Sequence, residues 1–453
     1  MKKNFYIITL LCGVIAFPLS GYGEEKKPEN TLVLTLQDAI AIAFKNNKEI
    51  QIQAKEVDVA QAKLIGVVSE FLPHVNLNAE YTHNGSVLPI PGTNIKKDPG
   101  VFAGYENDNK VSTTITQTIY NGRANMASLK QAQLGLQALE ETLRAAKLDV
   151  EFETKRLYYG LLLAFETERI AQDLVNQAQA HYEDVSRKFD QGSTSRFDVL
   201  QSKVQVSIVT PELINAKNAV TLIEAQLKKL LGLKMQDAIR LKGVLTYYVV
   251  DINESEFLQQ AYLTKPEMIL KSLGVDVDKW GIQVAKAQNR PQISADGEYF
   301  YRSNNWSNMF NTRHNNWNVG VSVSIPVFDG FSSKAKVDEA KARYVQATLE
   351  KENVTEQIAV DIKKACLDLQ QAKAIIDASK DNVEEAKEAL HIAEVSYDNG
   401  AGTNLDIIDS QTSLSQIEQN YSEGIYDYLM AKASLDRTMG NGTLVEVKNA
   451  KKD

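Results

Sequence analysis

Residues 122–190 contain no proline and, after the first residue, only two glycines, Gly135 and Gly160. Along them Leu129, Ala132, Leu136, Leu139, Leu143, Ala146 and Val150 recur at steps of three and four, the spacing that keeps one apolar seam against a partner helix. At 1.5 Å per residue such a helix is a rod of roughly 100 Å. The same object then occurs again. Phe189-Asp190-Gln191-Gly192 aligns with Tyr397-Asp398-Asn399-Gly400 at an offset of 208 residues, and the register continues through Asp198 and Asp406, Ser202 and Ser410, and Gly232 and Gly440. Backwards it joins Tyr120-Asn121-Gly122 to Phe328-Asp329-Gly330. Further upstream Pro73 matches Pro291 at an offset of 218, so the first copy holds ten more residues between Pro73 and Gly122, a length a loop tolerates.

Met1-Lys2-Lys3, an apolar run from Phe5 to Leu19 and the small residues Gly21 and Gly23 predict a secretory signal peptide over 1–23. Cys12 lies inside that apolar run behind Leu10 and Leu11, which does not suit a lipoprotein cleavage site. Its loss would leave Cys366 without an intramolecular partner, so stability must come from packing and association. Loss of Lys2 and Lys3 takes the formal charge from −8 to about −10, and no basic stripe offers itself to nucleic acid. The longest apolar run outside the leader, residues 158–165, is far short of the roughly 20 residues of a spanning helix. A membrane role must therefore use strands.

Repeat 1 is read as 34–232 and repeat 2 as 254–440, with a linker at 233–253 and a polar tail at 441–453. Each repeat opens with a helix, in the first copy 36–72 with a candidate break at Asn46-Asn47, stopped by Pro73. After each proline the period changes to two. Val75, Leu77, Ala79 and Tyr81 alternate with Asn76, Asn78 and Glu80, and Val319, Val321 and Val323 alternate with Gly320, Ser322 and Ser324. These predict strand hairpins at 74–121 and 292–329, followed by long helices at 122–190 and 330–398 and shorter ones at 195–231 and 404–439. Stacked end to end, the two short helices of a copy match its long one. Pro211 predicts a kink or break near Val209, and residues 245–250 read as a strand-like run in an accessory region.

One apolar and one small-polar strand face suit a bilayer-spanning barrel, with Tyr81, Tyr120, Tyr299, Tyr301, Trp306, Trp317 and Phe328 as its aromatic girdles. The same alternation fits a soluble hairpin with one buried face, and the pattern leaves both open. Four strands cannot close a barrel, so the membrane reading needs several chains.

Signal peptide, tandem repeat, paired hairpins and paired long and short helices together resemble the TolC family of outer-membrane exit ducts. Residues 34–440 carry the resemblance, most specifically Tyr397-Asp398-Asn399-Gly400, Asn404-Leu405-Asp406-Ile407-Ile408-Asp409-Ser410 and the strand-helix turn Ile325-Pro326-Val327-Phe328-Asp329-Gly330. The resemblance implies a mainly α fold in which long antiparallel coiled-coil helices form an α-barrel. Each chain of a homotrimer would add four strands to one transmembrane β-barrel in the outer membrane of a Gram-negative bacterium. It further implies docking to a periplasmic adaptor and an inner-membrane transporter, in efflux or type I secretion, with no chemistry or cofactor of its own. Asp406 and Asp409 take the positions of acidic rings at the periplasmic entrance, and Asp198 and Tyr397 those of a bond that holds it shut. Gly192 and Gly400 mark the tip turns; Gly122, Pro326 and Gly330 mark the strand-helix turns. The family's arginine after the second tip glycine is Gly402 here and its threonine before the first aspartate is Phe197, with Arg196 a neighbouring substitute.

His74, His83, His181, His314 and His391 show no ligand spacing, and no phosphate loop or nucleophile-base pattern occurs. The alternative is a secreted or periplasmic coiled-coil scaffold whose hairpins pack as soluble caps.

Overall fold

The computed structural model describes residues 32–84 and 107–442. The predicted leader at 1–23, the bulk of the first hairpin loop and the tail from 443 lie outside them.

Each repeat begins with two helices rather than one. In the first they are α1 (Leu36–Asn46) and α2 (Lys48–Ser69), parted at Asn47, whose backbone is extended and whose side chain caps α2 by accepting from Glu49 and Ile50. The strands β2 (His74–His83) and β3 (Asn107–Asn121) follow, then α3 (Ala124–Asp190) and α4 (Arg196–Leu231). Short strands β1 (Leu32–Leu34) and β4 (Ile239–Leu241) pair in parallel at the base of this repeat. The second repeat gives α5 (Glu254–Thr264), α6 (Pro266–Ala287), β5 (Gln292–Ser303), β6 (Asn315–Ser324), α7 (Ser332–Asp398) and α8 (Asn404–Thr438). Here the break falls before Pro266, which sits at the first helical position while Lys265 is extended. Helices α3 and α7 are each 67 residues long, as the duplication requires.

The short helices stack end to end along the long ones. In the first copy Asn47 Nδ2 donates to the Leu230 carbonyl (3.1 Å), joining the start of α2 to the end of α4. At the matching joint Thr264 donates to the Met439 carbonyl, and Arg437 braces the contact through Glu267 (2.6 Å). Gly232 and Gly440 end α4 and α8 with positive φ, and at Gly440 a Cβ would stand 2.6 Å from the Thr264 carbonyl.

The core is a row of clusters along the rods. Leu34, Ala39, Ala43, Leu157, Tyr158, Leu161, Leu227 and Leu231 close the first repeat, and Ile358, Ile362, Leu369, Ile376, Tyr428 and Leu435 close the second. Two expectations change. Helix α4 runs unbroken through exposed Pro211, because Val209 and Leu213 on either side are buried and Val209 packs with Leu174 and Ala178, offsetting one lost backbone bond. Residues 245–250 form no strand; their apolar side chains Leu245 and Tyr247 instead fold onto the second cluster, and Tyr428 Oη accepts from Val250 N (3.0 Å). The strand ladder of the linker is the one at β4.

Strands β2, β3, β5 and β6 form one antiparallel sheet in that order. His74 pairs with Thr116 and His83 with Asn107, while Gln292 pairs with Ser324 and Tyr301 with Asn315. Offsets of 218 and 208 superpose these pairs, so the two hairpins share one register and the ten extra residues fall in the loop between His83 and Asn107.

Candidate functional site

Period two places two chemistries on opposite sides of the sheet. One face carries Val75, Leu77, Ala79 and Tyr81, then Val111, Thr113 and Ile115, then Tyr301, Tyr299, Gly297, Ala295 and Ile293, then Trp317, Val319, Val321 and Val323. The other carries Asn76, Asn78 and Glu80, Lys110, Ser112 and Thr114, Glu298, Asp296 and Ser294, and Asn318 and Ser322. Charges on the second face pair with each other, Lys110 with Glu298 (2.7 Å) and Arg302 with Asp108. The apolar face is bare: Leu77 is 76 % exposed and Val319 75 %. No layer of the chain covers it among the described residues. Tyr81, Tyr299 and Trp317 lie towards the loop end and Tyr120 and Phe328 at the helix end. The outer strands β2 and β6 are each ten residues long, roughly 30 Å, the thickness of a hydrocarbon layer.

At the strand-helix turn Gly122 adopts φ +68°, and a Cβ there would stand 2.6 Å from the Ala287 carbonyl. The turn is completed by a second left-handed residue, Arg123, and its copy repeats this with Gly330 and Phe331 beyond Pro326.

At the far end of the rods each tip turn is a Schellman motif. Ser193 N donates to the Lys188 carbonyl past Gly192, and Ala401 N to the Ser396 carbonyl past Gly400, both at 2.8 Å. The next helix starts with a capping box in both copies, Ser195 with Asp198 and Thr403 with Asp406. Asp198 accepts from Ser195 Oγ (2.7 Å) and Thr194 Oγ1 (2.9 Å), and Asp406 from Thr403 Oγ1 (2.7 Å). These bonds hold both carboxylates below their usual range, Asp198 through Ser195 first and Asp406 through Thr403. Asp406 and Asp409 are exposed, three residues apart on one face of α8.

Asp198 and Tyr397 are not joined within the chain. The tyrosine hydroxyl is buried without a partner, its ring packs edge-on against His181 (5.6 Å), and Lys188 Nζ lies 4.5 Å above it. Lys188 also bonds Asp398 (2.7 Å). At Gly402, the position of the family's arginine, a Cβ would press on Tyr397 N at 3.0 Å and on Ser396 at 3.1 Å, so a side chain there requires these neighbours to shift by a few tenths of an ångström. Phe197 is 70 % exposed, and Arg196 is exposed with no ion pair among the described residues. Sequence reasoning missed the residues that do join the repeats here, His181, Lys188, Ser202 and Asn404; the two capping boxes were readable as Ser-x-x-Asp and Thr-x-x-Asp.

Among the described residues no three His, Cys, Asp or Glu side chains are placed to hold a metal ion, and no helix is long and apolar enough to cross a membrane. Cys366 is free and buried, and burial pushes its thiol up.

A family model described as outer membrane efflux protein matches two segments, residues 39–233 and 257–441, one per repeat. The outer membrane protein TolC of Vibrio cholerae is 21 % identical over 406 residues, covering 88 % of this chain and 89 % of its own. The alkaline protease secretion protein AprF of Pseudomonas aeruginosa is 21 % identical, covering 90 % and 84 %. The crystal structure of the Campylobacter jejuni CmeC outer membrane channel superposes with a TM-score of 0.80 at 18 % identity, over 96 % of this chain and 97 % of that one. The chain belongs to the outer membrane efflux protein family. It is an outer-membrane channel whose strands contribute to a transmembrane β-barrel and whose helices form the periplasmic conduit. The soluble scaffold finds no support in these likenesses.

Proposed function

We propose that three copies assemble into one passive duct that carries cargo from a periplasmic adaptor and an inner-membrane transporter to the exterior. The observation that carries this is the four-stranded sheet with bare edges and an uncovered apolar face: β2 and β6 are exposed along nearly their whole length. In lipid every backbone group needs an internal partner, so β6 of one chain must meet β2 of another. Three chains supply a twelve-strand cylinder, its apolar side to lipid and its side of Asn76, Glu298 and Asp296 to water. The relatives support both efflux and secretion, one being named for the secretion of a protease.

At the periplasmic tip Asp406 and Asp409 from three chains form an acidic collar that concentrates cations and resists closer approach. Asp198 and Tyr397 act on the gate from separate sides, the aspartate by fixing the start of α4 and the tyrosine through its contacts with His181 and Lys188. Detergent-extracted protein should run as a trimer by native mass spectrometry and give discrete conductance steps in planar bilayers. A water-soluble monomer without conductance would overturn the reading.

A further inference from the structure

Where the two repeats meet at the tip, Asn404 is only 3 % exposed at the first position of α8. Its amide oxygen accepts from Ser202 Oγ (2.9 Å) and lies 2.6 Å from His181 Nε2, and its amide nitrogen donates to Gln201 Oε1 (2.9 Å). The start of α8 thus inserts into a seat that α3 and α4 provide.

By the 208-residue offset, a second joint of this kind has known members. Arg196 stands in the first repeat where Asn404 stands in the second, and the seat of His181, Gln201 and Ser202 becomes Ala389, Asp409 and Ser410. Both halves of this second joint lie open in the single chain. Arg196 and Leu200 on α4 are exposed where their mates Asn404 and Ile408 on α8 are buried. On the receiving side Ala389 and Asp409 are exposed, and Ser410 is half-buried where Ser202 is buried. Neither Arg196 nor Asp409 has an ion pair or a side-chain hydrogen bond among the described residues. The two halves cannot meet within one chain, because α3 and α8 pack together in the middle of the tip and leave α4 and α7 on opposite flanks. A head-to-tail joint is repeated only by a further copy, and it closes when the copies form a ring.

The exchanged residues also suit one another. Inside the chain a short amide meets a large ring and a neutral acceptor. Across the second joint a long guanidinium would meet a methyl group, which leaves it room, and a carboxylate, which takes its charge. We propose that Arg196 of each subunit bonds Asp409 of the partner subunit, a charge clamp that closes every seam of the tip. The clamp rests on the trimeric reading above.

The test is carbodiimide coupling of the full chain carrying Arg196→Lys, extracted in detergent. The reagent joins an amine to a carboxylate that touches it and takes up the water released. A peptide joining position 196 to Asp409 should appear in species of two and three subunits, and should be absent from monomer-mass material and from the same variant with Asp409→Asn. Coupling within one chain, or to another carboxylate in place of Asp409, overturns the clamp. No coupling in a sample that native mass spectrometry shows to be trimeric overturns the clamp alone, whereas a monomeric sample overturns the duct with it. Thermal dissociation of the trimer reads the same pair with the native arginine as starting point. Arg196→Gln and Asp409→Asn should each lower the midpoint, and the double variant should fall no further than the larger single effect. Additive losses, or single variants that dissociate like the wild type, overturn the clamp.

Discussion

Lys188 Nζ, near the end of α3, reaches Asp398 at the end of α7 across 2.7 Å and so bonds one repeat to the other at the tip. Asp398 is 67 % exposed and Lys188 28 %, so the pair contributes only about 0–1 kcal/mol to folding. Asp398→Asn should leave the thermal midpoint nearly unchanged and raise single-channel conductance. An unaltered conductance would remove this pair from the gate.

The acidic collar makes an independent prediction. Asp409→Asn should lower the cation-to-anion permeability ratio, measured as the reversal potential in a salt gradient, and the double variant with Asp406→Asn should bring it close to one. Since Thr403 holds Asp406 below the ordinary carboxylate range, its charge is present above that range and lost only as pH falls through the lowered value. Cation preference should therefore persist down to about pH 4, where a free aspartate is already half protonated. A ratio indifferent to both substitutions would mean that the collar does not line the path.

Two glycines should respond to alanine with opposite signs. At Gly122 the left-handed backbone and the Ala287 carbonyl 2.6 Å away leave no place for a methyl group, and Gly122→Ala should destabilise by roughly 2–3 kcal/mol. Gly66, in the exposed part of α2 with nothing within 4 Å, should gain roughly 0.5–1 kcal/mol on the same change. Denaturant midpoints in detergent decide both, and loss of stability at Gly66 would contradict the open surface there.

The two faces of the sheet can be separated by charge. Val321→Arg places a cation on the face assigned to lipid, at roughly 2–4 kcal/mol per chain if the site lies at mid-bilayer, and should sharply reduce trimer recovered from outer membranes. Ser322→Arg, one residue on, points to the polar face and should assemble while changing conductance. If both variants assemble equally well, the apolar face does not meet lipid.

Much of this fold is legible in the sequence because the duplication constrains it twice. A 208-residue offset and the three-four stripe of the first copy set the span of both long helices, 122–190 and 330–398 against an observed 124–190 and 332–398, and strict alternation set the faces that Val321 and Leu77 take. What was not legible depended on contacts between distant segments. Residues 245–250 have strand propensity but spend their apolar side chains on the cluster around Tyr428, and Pro211 is carried through by the packing of Val209. At the tip, family positions pointed to a bond between Asp198 and Tyr397, while the local Ser195 and Thr194 hydroxyls claim the carboxylate first. Asn404 and His181 lie 223 residues apart, and nothing in either neighbourhood announces the other.

The sheet described above has its β3–β5 seam inside one chain, but its outer edges wait for strangers. A lone subunit offered to a bilayer would drag two rows of naked amides and carbonyls into oil, so encounter among subunits has to come before entry into the membrane. In the proposed trimer, β2 and β6 therefore stay unpaired until three chains have met.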